Sequence, residues 1–122
     1  MNVLIVESND NLAQVWARHL KRQGGYVKVA KNAEDATQLI EHQSFDVIVL
    51  DLVLESGSAF AVSDVANFRQ PQARVVFVTN TNFFSDGSIF RHSSNACAFV
   101  PSATEPHDLA ALVEHHAQSA NF

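Results

Sequence analysis

The run Asp46-Val47-Ile48-Val49-Leu50-Asp51-Leu52 decides how this chain is read. Its apolar residues are continuous rather than alternating, and Val47, Ile48 and Val49 are β-branched. A segment of that kind reads as a strand covered on both faces, the usual situation in a parallel sheet. The run also stops abruptly, at the carboxylate of Asp51. Working outward, Val3-Leu4-Ile5-Val6 is a similar run that ends at Glu7, and Val75-Val76-Phe77-Val78 is another that ends at Thr79. Ala98-Phe99-Val100 is shorter and ends, after Pro101, at Ser102. Tyr26–Ala30 alternates weakly and reads as a short strand.

Helical patterns fill the intervals. Asn9 or Asp10 caps a helix with a Leu12, Val15, Trp16, His19, Leu20 stripe, which Gly24-Gly25 ends. Asn32 opens a helix carrying Ala33, Ala36, Leu39 and Ile40, and Ser58 caps one bearing Val62, Val65 and Phe68. Residues 82–93, with Phe83, Phe84, Ile89 and Phe90, suggest a helix that Gly87 weakens. Thr104 is the expected cap of a last helix with Leu109, Leu112, Val113 and His116 inward. The order βαβαβαβαβα predicts an α/β fold: a doubly wound parallel sheet with helices on both faces.

Composition narrows the function classes. At 122 residues and 47% hydrophobic the chain reads as a single domain, 1–122, with a short tail after about 117. The longest apolar runs are far short of the ~20 residues of a membrane span, and Met1-Asn2-Val3 does not open a secretory signal. A soluble, cytoplasmic protein is expected, and the lone Cys97 fits a reducing compartment. A net charge of −5 disfavours a nucleic-acid partner.

The strand ends carry the chemistry. In a doubly wound sheet, ligands collect at the carboxyl ends of the strands, near the switch in strand order. If the strands ending at Glu7 and Asp51 are neighbours, two carboxylates face each other there. Such a pair either raises a pKa or recruits a cation, and Mg²⁺ is commonly held by one or two carboxylates plus phosphate oxygens. The plainer alternative makes both residues the first solvated positions past their strands.

From Val3 to about His116 the chain resembles the receiver domain of bacterial two-component response regulators. The resemblance rests on Val3–Glu7, Asp46–Leu52, Val75–Thr79, Phe99-Val100 and the Asp108-Leu109 helix, in that order. It implies a flavodoxin-like fold with five parallel strands in the order 2-1-3-4-5. It also implies phosphoryl transfer to Asp51 from a histidine kinase or histidine phosphotransfer protein. Thr79 falls on the hydroxyl that bonds a phosphoryl oxygen, and Phe99 on the aromatic switch. Glu7, Asp51 and the Val53 backbone carbonyl fall on the Mg²⁺ site.

The departures are equally specific. Ser8 replaces a second acid, which weakens the metal site, and Ser102-Ala103 replaces the usual lysine-proline. Glu55 stands where proline is usual, Ala59 where a turn glycine is usual, and Asn80 where a small alanine is common. The expected function is therefore a single-domain response regulator with a partly degenerate site. It is not an enzyme beyond self-catalysed phosphoryl transfer and autodephosphorylation, and it signals by contact with a downstream protein. A pseudo-receiver that serves as a phosphorylation-independent scaffold is the alternative. A third reading makes the chain the receiver of a longer DNA-binding regulator. Phe83, Phe84 and Phe90 are either core or an interaction surface, with a homodimer among its uses.

Two enzyme classes are disfavoured. A haloacid-dehalogenase phosphatase wants a second aspartate two positions past Asp51, where Val53 stands. A dinucleotide-binding enzyme wants a Gly-rich turn after the first strand, and Glu7-Ser8-Asn9-Asp10 has no glycine.

Overall fold

The computed structural model describes residues 1–79 and 96–119. Its strands are β1 (Asn2–Val6), β2 (Tyr26–Ala30), β3 (Val47–Asp51), β4 (Arg74–Thr79) and β5 (Ala96–Pro101). Its helices are α1 (Asp10–Arg22), α2 (Ala33–His42), α3 (Ala59–Arg69) and α4 (Pro106–Ser119). All strand pairs are parallel, in the order β2-β1-β3-β4-β5. The fold is the flavodoxin-like doubly wound one expected. The segment read as a helix over 82–93, and with it Asn80, Phe83, Phe84 and Phe90, lies outside the described residues.

Continuous apolar strands follow from burial on both faces. Leu4, Val6, Ile48, Leu50, Val75 and Phe77 turn to one side, where α2 and α3 add Ala36, Ile40, Val62 and Ala66. Val3, Ile5, Val47, Val49, Val76 and Val78 turn to the other, beneath Trp16, Leu20, Leu109 and Val113 of α1 and α4. The central strands thus separate two apolar layers.

Helix ends are set locally. Asn9, Asn32 and Ser58 each accept a backbone N–H from the first turn of their helix, as their side chains predict. At the end of α1, Gly25 N–H bonds Leu20 O and Gly24 N–H bonds Lys21 O, both at 3.0 Å. Gly24 takes φ +86°, which closes this Schellman turn and lets β2 begin at once.

Three readings need correction. The centre of the α1 stripe is Ala13, Trp16, Ala17 and Leu20, with Leu12, Val15 and His19 only half-buried. Alanine is too small to signal a core face, yet it lets the helix approach the sheet closely. Phe68 is 80% exposed, with the Arg69 guanidinium 5.7 Å from its ring centre, because Val62, Ser63 and Ala66 form the inner face of α3. The Thr104 hydroxyl turns back to Pro101 O at 2.6 Å rather than capping α4. Glu105 takes that place, its carbonyl receiving Asp108 and Leu109 N–H. Gly57, at φ +86°, turns the chain after β3, and Ala59 is buried at the start of α3.

These assignments separate two substitutions that hydrophobicity alone would rank alike. Leu4→Ala empties a fully buried site between β1 and the α2–α3 layer and is expected to cost about 2–5 kcal/mol in urea unfolding. Phe68→Ser is expected to stay within about 0.5 kcal/mol of wild type in the same measurement.

Candidate functional site

β1 and β3 are adjacent, paired from Val3↔Val47 to Val6↔Leu50, so Glu7 and Asp51 are the next residues on neighbouring strands. Their carboxyl groups lie within hydrogen-bonding reach of each other. Glu7 is only 2% exposed, and its Oε2 is buried with no donor among the described residues. Burial, and then the Asp51 carboxyl beside it, push the Glu7 pKa from the ordinary 4.5 up to about 9, against a smaller opposing effect from the Asn9 backbone N–H. At neutral pH one proton therefore resides in the pair. Asp51 is partly exposed, and its Oδ1 accepts the Val53 N–H at 2.9 Å. That bond folds the start of the β3–α3 loop back over the aspartate and leaves the Val53 side chain 65% exposed.

Thr79 closes β4 one residue beyond Val78, the partner of Asp51, and is 2% exposed. Ser102 N–H donates to Thr79 O at 2.8 Å, which ties the end of β5 to the end of β4. Phe99 pairs with Phe77 and is half-buried against the α2–α3 layer. The strand ends predicted from sequence thus converge on one rim, with the carboxyl pair at the β1–β3 junction. Phe83, Phe84 and Phe90 lie outside the described residues.

Ser8 has a role that the sequence did not reveal. Its hydroxyl donates to Lys31 O at 2.6 Å and accepts Glu55 N–H at 2.8 Å. One side chain thereby joins the loops after β1, β2 and β3. The signal was present in the absence of proline at 55, since a proline there has no N–H to give. The same loop is fastened again where Ala33 N–H meets Ser56 O at 3.1 Å. At Gly57 an added Cβ would stand 2.4 Å from the Ala33 Cβ.

Among the described residues no three His, Cys, Asp or Glu side chains gather. The described histidines make no such site, and His115 and His116 sit side by side on α4. Cys97 is half-buried in β5, near Val75 O, with its thiol pKa pushed up to about 11 by burial. It is a packing residue rather than a nucleophile.

A doubly wound parallel sheet with an acidic pair at its carboxyl rim defines the class of protein. Residues 3–114 match the response regulator receiver domain, and the chain belongs to that family of two-component signalling proteins. It superposes on a CheY-like receiver domain from Methanospirillum hungatei with a TM-score of 0.89 at 18% identity, covering 98% of this chain and 95% of that one. A response regulator from Burkholderia pseudomallei, whose crystal structure has a phosphorylated aspartic acid, a calcium ion and citrate, gives 0.82 at 23% identity, over 98% of this chain and 70% of that one. The photosynthetic apparatus regulatory protein RegA of Rhodobacter capsulatus is 24% identical over 78 residues, 64% of this chain. The match spans 42% of RegA, less than half its length. Among the described residues no helix is long and apolar enough to cross a membrane.

The raised Glu7 pKa fixes the sign of a pH effect. Between about 4.5 and about 9 the folded chain holds a proton that the unfolded chain has released. Stability without metal is therefore greatest at the acidic end of this window and is lost as pH rises through about 9. Thermal melts in a chelator from pH 5 to pH 9 should show a falling midpoint for wild type and a flatter profile for Glu7→Gln.

Proposed function

We propose that Asp51 accepts a phosphoryl group from the phosphohistidine of a histidine kinase or a histidine phosphotransfer protein, and that a downstream protein reads the result. The observation that carries this reading is the approach of the Glu7 and Asp51 carboxyls at the carboxyl rim of adjacent strands. The family and the phosphorylated aspartate of the Burkholderia relative support it. We read residues 1–122 as one receiver unit working in the cytoplasm.

Phosphoryl transfer asks a protein chiefly for in-line positioning and charge neutralisation. An Asp51 carboxylate oxygen attacks phosphorus, the P–N bond breaks, and its electron pair leaves with the imidazole. The product is an acyl phosphate. The Val53 N–H, 2.9 Å from Oδ1, holds the nucleophile in a fixed rotamer. In this reading Thr79 bonds a phosphoryl oxygen and Phe99 changes its packing once Thr79 moves.

Glu7, Asp51 and the Val53 carbonyl would supply an all-oxygen donor set of the kind Mg²⁺ takes, and the buried Glu7 Oε2, which has no hydrogen-bond partner among the described residues, suits a cation ligand. When bound, Mg²⁺ would supply charge neutralisation at the phosphoryl oxygens. Ser8 leaves that set one acid short, and Ser102 supplies no ammonium. Weak metal binding and slow phosphorylation follow.

Ser102 and the proton-sharing pair also favour a second reading, a scaffold that works without phosphorylation. Incubation with a small phosphodonor and Mg²⁺, followed by intact mass, separates the two. A receiver gains one phosphoryl group slowly and loses that gain in Asp51→Ala. Ser102→Lys should raise the rate roughly tenfold or more, the worth of a charge-assisted hydrogen bond. Silence with both the donor and the cognate kinase would establish the scaffold.

A further inference from the structure

Ser8 and Glu55 each depart from the receiver pattern, and the structure joins them in one hydrogen-bonded bridge. Lys31 O can only accept, so the Ser8 hydroxyl must give it the proton across 2.6 Å. The hydroxyl oxygen is then free to accept Glu55 N–H at 2.8 Å. Both capacities of the hydroxyl are used in a fixed direction. Glu55 lies two residues after Val53 and four after Asp51, while Ser8 directly follows Glu7. The bridge therefore connects the backbone that carries one carboxylate to the loop that follows the other.

The remaining anchors of that loop lie elsewhere. Leu52 N–H bonds Val78 O at 2.9 Å, toward β4, and Ser56 O accepts from Ala33, toward α2. Between those points the Ser8 bond draws the loop toward the β1 end. Its partner is the backbone of residue 55, so the exposed Glu55 side chain is not required, but a non-proline residue is.

We propose that Ser8 is a positioning residue, which sets the β3–α3 loop and the Val53 carbonyl beside the carboxyl pair through a bridge that a non-proline residue 55 makes possible. The metal part of this inference rests on the receiver reading of the site. Its corollary is that Ser8 is not merely a missing acid. Ser8→Asp would restore a carboxylate but bring it against Lys31 O with no proton to donate, so the bridge is lost as the charge is gained.

The test combines Glu55 amide hydrogen exchange by NMR with Mg²⁺ titration of the whole chain. Ser8→Ala should speed Glu55 exchange roughly tenfold and weaken Mg²⁺ binding, whereas Ser8→Thr, which keeps the hydroxyl, should preserve both. Glu55→Ala should bind Mg²⁺ as wild type does. Glu55→Pro should weaken it as much as Ser8→Ala, with the double variant no worse than either single one. Unchanged Glu55 exchange in Ser8→Ala overturns the bridge. Losses that add in the double variant, or a loss in Ser8→Ala alone, overturn positioning in favour of direct ligation by Ser8. If wild type binds no Mg²⁺, the receiver chemistry and the metal role fall together, and the exchange rates still decide whether the bridge holds the loop.

Discussion

Two carboxyl groups meeting where one of them is almost wholly buried constrain the rest of this rim. Adjacent parallel strands β1 and β3 end in register, so the residues that follow them cannot avoid one another. With Glu7 2% exposed, two bare negative charges at that separation are unfavourable in a medium of low polarity. A proton or a cation must share the site. Burial and the neighbouring carboxyl raise the Glu7 pKa, which favours a proton in the pair, and the same geometry makes the pair a candidate metal site. Exposure divides the two acids: the half-open Asp51 can meet a partner, while Glu7 beneath it cannot.

The loop architecture follows from the need to hold such a pair still. Asp51 is fixed by Val53 N–H, and the loop beyond it is fastened to β4, to the end of β1 and to the start of α2. The close approach of Gly57 to Ala33 leaves no space for a side chain, and the φ of +86° there favours glycine independently. Each attachment is an ordinary hydrogen bond or contact, worth about 1 kcal/mol alone. Their value lies in acting on one short segment from three directions.

Much of this was legible from the chain because burial on both faces leaves a plain mark. Runs such as 47–50 cannot hide among alternating strands, and their abrupt ends at Glu7, Asp51 and Thr79 gave the rim. What escaped has a common physical character. The Ala13–Ala17 face of α1 is a matter of close approach, which hydrophobicity does not rank. Phe68 looked like core because an aromatic near an apolar stripe usually is, yet its position on α3 faces outward. The Ser8 bridge depends on main-chain groups of Lys31 and Glu55, and side-chain identity says almost nothing about a carbonyl or an amide. Glu55 gave a hint only by not being proline.

The two substitutions that make the site look degenerate are also linked by charge. Relative to the receiver pattern, Ser8 removes one negative charge and Ser102 removes one positive charge. The formal charge of the side chains there is therefore that of the full pattern, carried here by Glu7 and Asp51 alone. A divalent cation would balance it in either case. The difference emerges only once phosphate is added: the new negative charge then meets no ammonium at 102, and neutralisation falls on whatever cation the carboxyl pair holds. If Asp51 takes a phosphoryl group as proposed, loss of both partners would leave the resting domain balanced while weakening its hold on the phosphorylated state. Under that proposal the altered site would differ in how long it holds phosphate rather than in the architecture that receives it.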